Sequence, residues 1–400
     1  MNIVLINWSE GENDPFSLFN QCLAEHFLAN GRHTITVQLD SDFAKNMRVA
    51  LDMGVDFAMT WQGLGSNLKA HESAGTTIWD DLKVPLVCLH GDHPCHAISN
   101  HIGTSEFVYH LYAAGSFAKY ANRHIPRTYP AQTVFIPNFF MNQVSIPPEY
   151  TGDYFVLPKN YDDTLLTLNS WRASYPDVIS DLLVDITEAI KAEYTNGNSM
   201  DHHEIIDHHL TSFHYDVLKD HFKVDNDSIL LHHIHATVDK FYRNFVSEYT
   251  LLQLKDVKVK IFGRGWDRFI SMENQQHEFR PFNKAIDGNQ QFHSNYGILD
   301  VAPINDSLHD RTMRAVANKG GFLLASSWNH EEHIGTGFST LFHSGKKNEL
   351  RENAERIMKN PAEHRALSTD FGQRYRHAFS FYRFLKELDA LVGSARRLRH

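Results

Sequence analysis

The sequence has 400 residues and a mass of 46.0 kDa, too long for one ordinary domain and enough for about two or three. With 42% hydrophobic and 22% charged residues it is a globular chain, neither disordered nor collagen-like. Its formal net charge of −10 and pI near 6.2 argue against a partner held by phosphate contacts, so no nucleic acid is expected.

In the first 140 residues, strand patterns alternate with helical ones. Ile3–Trp8 is an apolar run suited to a buried strand, and the acidic loop SEGENDP follows it. Phe16–Leu28 has helical spacing and stops at Asn30-Gly31. Thr34–Leu39 and Val55–Trp61 read as strands around a helix at Phe43–Met53, and Val84–His90 is a further strand ending in Gly91-Asp92-His93-Pro94. His110–Ala114, a helix over Ser116–His124, and Thr133–Pro137 complete a series of βαβ units, which predicts a parallel, Rossmann-like sheet over residues 1–149. From 150 to 255 the pattern is mainly helical, a connecting or inserted segment. Strands return at Val257–Phe262, Gly297–Ala302 and Gly321–Ala325, giving a second Rossmann-like domain over 256–375, and a last helix occupies 376–400.

Other features bound the compartment. The N-terminus has no basic region ahead of its apolar run, so no cleaved secretory signal is expected. Three irregularly spaced cysteines, Cys22, Cys88 and Cys95, suit a reducing cytoplasm. The basic end ARRLRH is a candidate for peripheral contact with anionic headgroups. Of 27 histidines, nine fall between His202 and His235. HEIIDHH is not a zincin motif, because His203 and His208 are five apart and not four. These histidines are read as ordinary residues of a solvated helical linker, and no metal site is expected.

Two segments of the second domain point to an anion. In ILDVAPINDSLHDRTMRAVANKGGFLLAS a strand, a polar loop and a helix starting near His309 or Asp310 follow one another. Asp306, Ser307 and Asp310 are candidate N-caps, and Arg311 and Thr312 fall in the first turn, where free N–H groups and the dipole favour negative charge. Upstream, Gly263-Arg264-Gly265 directly follows a strand, the edge at which open parallel sheets bind ligands. It is not GxGxxG, because Arg268 occupies the third position, so a nicotinamide or flavin enzyme is poorly supported.

Together, the strand-Gly-x-Gly-Trp, the His293-Ser294-Asn295-Tyr296 loop and Arg311 through Gly320-Gly321-Phe322-Leu323-Leu324 resemble the donor half of GT-B glycosyltransferases. The nearest group is the CgeB-like / glycosyl transferases group 1 family, and residues 256 to 390 carry the likeness. It implies an α/β fold of two Rossmann-like domains facing a cleft (GT-B). The implied activity is transfer of a sugar from a nucleotide donor to a hydroxyl on a glycan, lipid-linked or protein acceptor, without metal or cofactor. The last helix would cross back onto the first domain. Gly263, Arg264, Gly265, Ser307, Arg311, Thr312 and Arg314 would bind donor. Arg314 stands where the family usually carries a glutamate for the ribose, and a cation there suits a phosphate-rich or carboxylated donor. Asp92, with His90 and His93, would serve as base for the acceptor hydroxyl, and Glu10, Glu12 and Asp14 would contact acceptor. A nucleotide-sugar epimerase or hydrolase, or a non-catalytic nucleotide, sugar or metal-binding protein, are the alternatives.

Overall fold

The computed structural model describes residues 2–8, 15–69, 75–102, 105–134, 136–137, 152–198, 201–270, 276–280, 295–301, 308–317, 319–325 and 330–397. The chain divides into two compact units, residues 1–140 with 379–400, and residues 141–378.

The first unit holds strands β1 (Asn2–Asn7), β2 (His33–Gln38), β3 (Phe57–Trp61), β4 (Leu86–His90), β5 (Val108–Tyr112) and β6 (Gln132–Thr133). They form one parallel sheet in the order β2-β1-β3-β4-β5-β6. β3, β4 and β5 are buried along their whole length, as befits parallel strands covered on both faces. Helices α1 (Pro15–Ala29), α2 (Phe43–Asp52), α3 (Ile78–Leu82) and α4 (Gly115–His124) connect them. Phe43, Met47 and Ala50 place one stripe of α2 in a core with Val4, Ile6 and Trp79.

The second unit is built on β7 (Phe155–Pro158), β8 (Val259–Phe262), β9 (Glu278–Arg280), β10 (Gly297–Asp300), β11 (Phe322–Ala325) and β12 (Phe342–His343). Its order, β12-β11-β10-β7-β8-β9, again all parallel, is the dinucleotide-binding order of a Rossmann sheet. The chain reverses direction across the sheet between β7 and β10. Both units are thus Rossmann-like.

This sheet begins earlier than the sequence pattern indicates, because FVLP is a four-residue strand that pairs with β8 in distant sequence. The helices between them, α5 (Thr164–Ser174), α6 (Asp177–Thr195), α7 (His202–His209), α8 (Ser212–Phe222) and α9 (Asp227–Gln253), are therefore an insertion inside the second unit. They have a real core: Ile179, Leu183, Ile186, Ile206, Ile234 and Val238 are fully or nearly fully buried.

That core overturns the solvated reading for four of the nine histidines, while His208, His221 and His233 are exposed. His202, His203, His232 and His235 are buried. Nδ1 of His203 and of His235 share a hydrogen bond of 2.8 Å, and His235 Nε2 meets Asp207 at 3.0 Å. The shared hydrogen bond satisfies Nδ1 of both His203 and His235, which lowers the cost of placing these rings in a helical core.

After β10 come α11 (Asp310–Ala317), α12 (His330–His333), α13 (Glu349–Lys359), α14 (Pro361–Ala378) and α15 (Phe381–Arg397), with α10 (Asp267–Ile270) following β8. The last helix packs on the first unit. Arg32 donates to both carboxylate oxygens of Asp389 at 2.8 and 2.6 Å, and Phe381 lies 4.9 Å from the ring of His26. Among the described residues no helix is long and apolar enough to cross a membrane. The side chains of the basic tail lie outside the description, and the three cysteines are buried and form no disulfide.

Candidate functional site

In the second unit the point where strand order reverses brings together the carboxyl ends of β7 and β10 and the first turn of α11, the position at which open α/β sheets bind ligands. Asp300 closes β10 and is completely buried. It accepts a hydrogen bond from the Thr312 hydroxyl at 2.8 Å, and Arg311 Nη1 and His309 Nδ1 each lie 3.5 Å from its oxygens. Burial opposes its charge, yet His309, Arg311 and Thr312 hold its pKa down at about 2. Burial likewise opposes charge on His309, but Asp300 and Asp310 raise it to about 9. Thr312 and Asp300 therefore serve to set the mouth of α11, while Arg311 remains 26% exposed. Arg314 is drawn to Asp310, its own helix partner one turn back, at 2.9 Å.

Lys159, the residue after β7, stands in the same cluster. Burial, then the positive charges of Arg311 and Arg243, depress its pKa to about 8, against the pull of Asp239 and Asp300. Its ammonium has no hydrogen bond or ion pair among the described residues. Arg311 and Arg243 each have a carboxylate close by, Asp300 at 3.5 Å and Asp239 at 2.6 Å, which leaves the Lys159 ammonium as the group available to a further anion. Arg264, exposed in the turn after β8, also has no side-chain partner among the described residues.

The glycines beside it have a different role from the one the sequence implies. A Cβ on Gly263 would lie 2.0 Å from the carbonyl oxygen of Lys159, and one on Gly265 (φ +87°) 1.8 Å from that of Tyr161. What approaches these glycines is the chain's own 159–161 segment, zipped to the turn by Lys159 N–H to Phe262 O and Tyr161 N–H to Arg264 O, both 2.9 Å. They set the course of the Lys159 loop. Ser307 lies outside the described residues.

Sequence reasoning missed Lys159, Asp300 and His309. Lys159 was hidden in a presumed linker. Asp300 carried a usable signal: a lone carboxylate in the otherwise apolar GILDVA is a buried charge that needs partners.

Beside Gly265 a groove of about 690 Å³ runs between α5 and α9, lined by Trp171, Tyr175 and Phe222. Asp162, Asp163 and Asp267 on its rim, with Lys240 already paired to Asp162 at 2.9 Å, make it unsuited to phosphate.

In the first unit the HGDHP loop splits its three candidates. His90 is wholly buried, shares a 2.8 Å hydrogen bond with His110 and stacks on Tyr112. Burial and then the neighbouring His101, His110 and Arg127 hold its pKa well below the usual value. His93 is buried edge-on against Phe117 and Tyr120, and its Nδ1 accepts from the Cys95 N–H at 3.2 Å. Both rings are thus closed off from solvent, in contrast to Asp92. Asp92 alone of the three is exposed, one strand away from the β1–β3 reversal, and accepts a hydrogen bond from Gln62 Nε2 at 2.8 Å. Glu10, Glu12 and Asp14 lie outside the described residues.

The charged state of His309 has a consequence for stability. Its pKa rises from 6.5 to about 9 on folding, so its contribution is fully present below 6.5 and lost as pH rises through about 9. Melting temperatures of wild type and His309→Gln are expected to differ at pH 6 and to converge above about pH 9. A gap of unchanged size at pH 10 would contradict a charged His309.

No protein-family model matches the sequence, and no curated protein matches it. Solved structures are similar. Two of an alpha-glucosyltransferase in complex with UDP and a 13-mer DNA containing a HMU base superpose at TM-scores of 0.53 and 0.54. A third, with UDP-glucose and DNA containing an abasic site, gives 0.53. In each, 11% of residues are identical, over 98% of this chain and 99% of the other. The likeness establishes the fold alone: the chain shares with these structures an α/β architecture of two Rossmann-like units. It also corrects the partner expectation, which admitted glycan, lipid-linked or protein acceptors and excluded nucleic acid. Proteins of this fold have been captured on DNA, and a net charge summed over a whole chain does not describe one local surface.

Proposed function

We propose that the protein transfers a glycosyl group from a nucleoside-diphosphate sugar to an acceptor hydroxyl. The observation that carries this is the placement of Lys159, whose ammonium has no hydrogen bond or ion pair among the described residues, at the end of β7 where the second sheet reverses order, beside the partly exposed Arg311 at the mouth of α11. In the reaction the bond from anomeric carbon to phosphate oxygen breaks and a bond to the acceptor oxygen forms. The leaving diphosphate gains negative charge, which Lys159, Arg311 and the mouth of α11 are placed to stabilise. The acceptor's proton goes to a base, for which Asp92 is the candidate. The mechanism draws its positive charge from these side chains and calls on no metal or cofactor. The resemblance of residues 256–390 to the CgeB-like group supports the second unit as the donor half.

For the acceptor, the DNA-bound neighbours favour a hydroxyl carried on nucleic acid. The test is to incubate the protein with radiolabelled UDP-glucose alone, with DNA bearing the HMU base, and with unmodified DNA. Label transferred to the HMU-bearing strand supports the reading. UDP released at the same rate in all three mixtures identifies a hydrolase, the main alternative.

A further inference from the structure

α9 carries a buried ion pair close to the loop after β7: Asn244, the neighbour of Arg243, accepts a hydrogen bond from the Asp162 N–H at 3.2 Å. Asp239 is 1% exposed; its Oδ1 meets His202 Nε2 at 2.8 Å and its Oδ2 accepts from Arg243 Nε at 2.6 Å. His203 Nε2 lies 4.0 Å from the same Oδ1. Arg243 is 19% exposed, one helical turn after Asp239. A carboxylate this deep is costly unless several donors share it, and a well-packed apolar residue would serve an insertion core as well. The pair is therefore not explained by stability alone.

We propose that Asp239 is a positioning residue, which fixes Arg243 on the helical insertion as a third phosphate-binding cation beside Lys159 and Arg311. This rests on the nucleoside-diphosphate reading above. Held through Nε by a residue four positions back, the guanidinium is confined to one rotamer, and its charge acts on Lys159 from the insertion side while Arg311 acts from α11. His202, on α7, fastens the other carboxylate oxygen, so α7 and α9 together set the cation. The insertion is in this way part of the donor site and not only a spacer between β7 and β8.

The two members of the pair act on Lys159 with opposite signs. Asp239 and Asp300 raise its proton affinity; Arg243 and Arg311 lower it. Lys159 attracts phosphate only when protonated, so wild-type affinity for UDP should fall as pH rises through about 8. Removing Asp239 shifts that fall to lower pH, and removing Arg243 shifts it to higher pH.

The experiment is calorimetric titration of UDP into wild type, Asp239→Asn and Arg243→Gln from pH 6 to 10. At pH 6.5 each variant is expected to bind about tenfold more weakly, the loss of roughly one charge-assisted contact. Their pH midpoints should move in opposite directions from wild type. A wild type that binds UDP while both variants keep its midpoint would overturn the positioning role. Should Asp239→Asn fail to fold, the partly exposed Arg243→Gln decides alone: an unmoved or lowered midpoint rejects the proposal. Absence of UDP binding by wild type at every pH would instead reject the donor-site reading, and the inference with it.

Discussion

Replacing Asp92 with Asn is expected to cut glycosyl transfer about 10²–10⁴-fold, the range for loss of a positioned general base. The substitution preserves shape, and Gln62 Nε2 can still donate to the remaining carbonyl oxygen, so the loop after β4 should keep its course. UDP affinity should be unchanged, because the proposed phosphate groups belong to the other unit. The expected signature is therefore a fall in kcat with little change in the donor's dissociation constant. His90→Gln and His93→Gln should behave differently, since both rings are buried and bonded within the unit. Their cost should fall on thermal stability. Near-normal turnover by a folded Asp92→Asn protein would remove the proposed base and favour a mechanism in which the acceptor proton leaves by another route.

The second large effect is on donor binding. Arg311→Ala removes a charge-assisted contact worth about 1.5–3 kcal/mol, so UDP affinity should fall about 10–150-fold at about 1.4 kcal/mol per decade. Asp300 keeps Thr312 at 2.8 Å and His309 at 3.5 Å in the variant, which protects the buried carboxylate and hence the fold. Arg311→Lys should recover only part of the loss, because an ammonium does not reproduce the planar two-pronged contact. Circular dichroism melts check folding, and calorimetry reads the affinity. A folded Arg311→Ala protein with wild-type affinity would assign Arg311 to the support of Asp300 alone.

The reading of sequence succeeded where local pattern and tertiary role coincide. Alternating apolar runs and helical stripes over the first 140 residues correspond to β1–β5 and α1, α2 and α4, and the helix placed near His309 or Asp310 begins at Asp310. It failed where the deciding partner is distant. FVLP is too short to register as a strand until β8 and β10 flank it. The histidines of α7 and α9 look like solvent residues in sequence, and only packing shows His203 against His235 and His202 against Asp239. Gly263 and Gly265 were recognised as meaningful, but what comes close to them is the backbone of Lys159 and Tyr161. The proposed donor residues divide along the same line. Arg311 and Arg264 were visible from helix-start and strand-end rules, whereas Lys159 follows a strand that registers only in the sheet, and Arg243 lies on an insertion helix that meets the loop after β7 through Asn244.

The central claim is that this reversal point is an anion site built for a diphosphate, and comparing UDP with uridine on the wild-type protein tests it most directly. Both share the base and ribose, so any difference in affinity reports on the phosphates. Two charge-assisted contacts, from Lys159 and Arg311, should separate the two ligands by at least about 100-fold at pH 7. The gap should narrow as pH rises through about 8 and Lys159 loses its proton. UDP binding no more tightly than uridine, or a gap insensitive to pH up to 10, would contradict the assignment of these residues to the donor's phosphates.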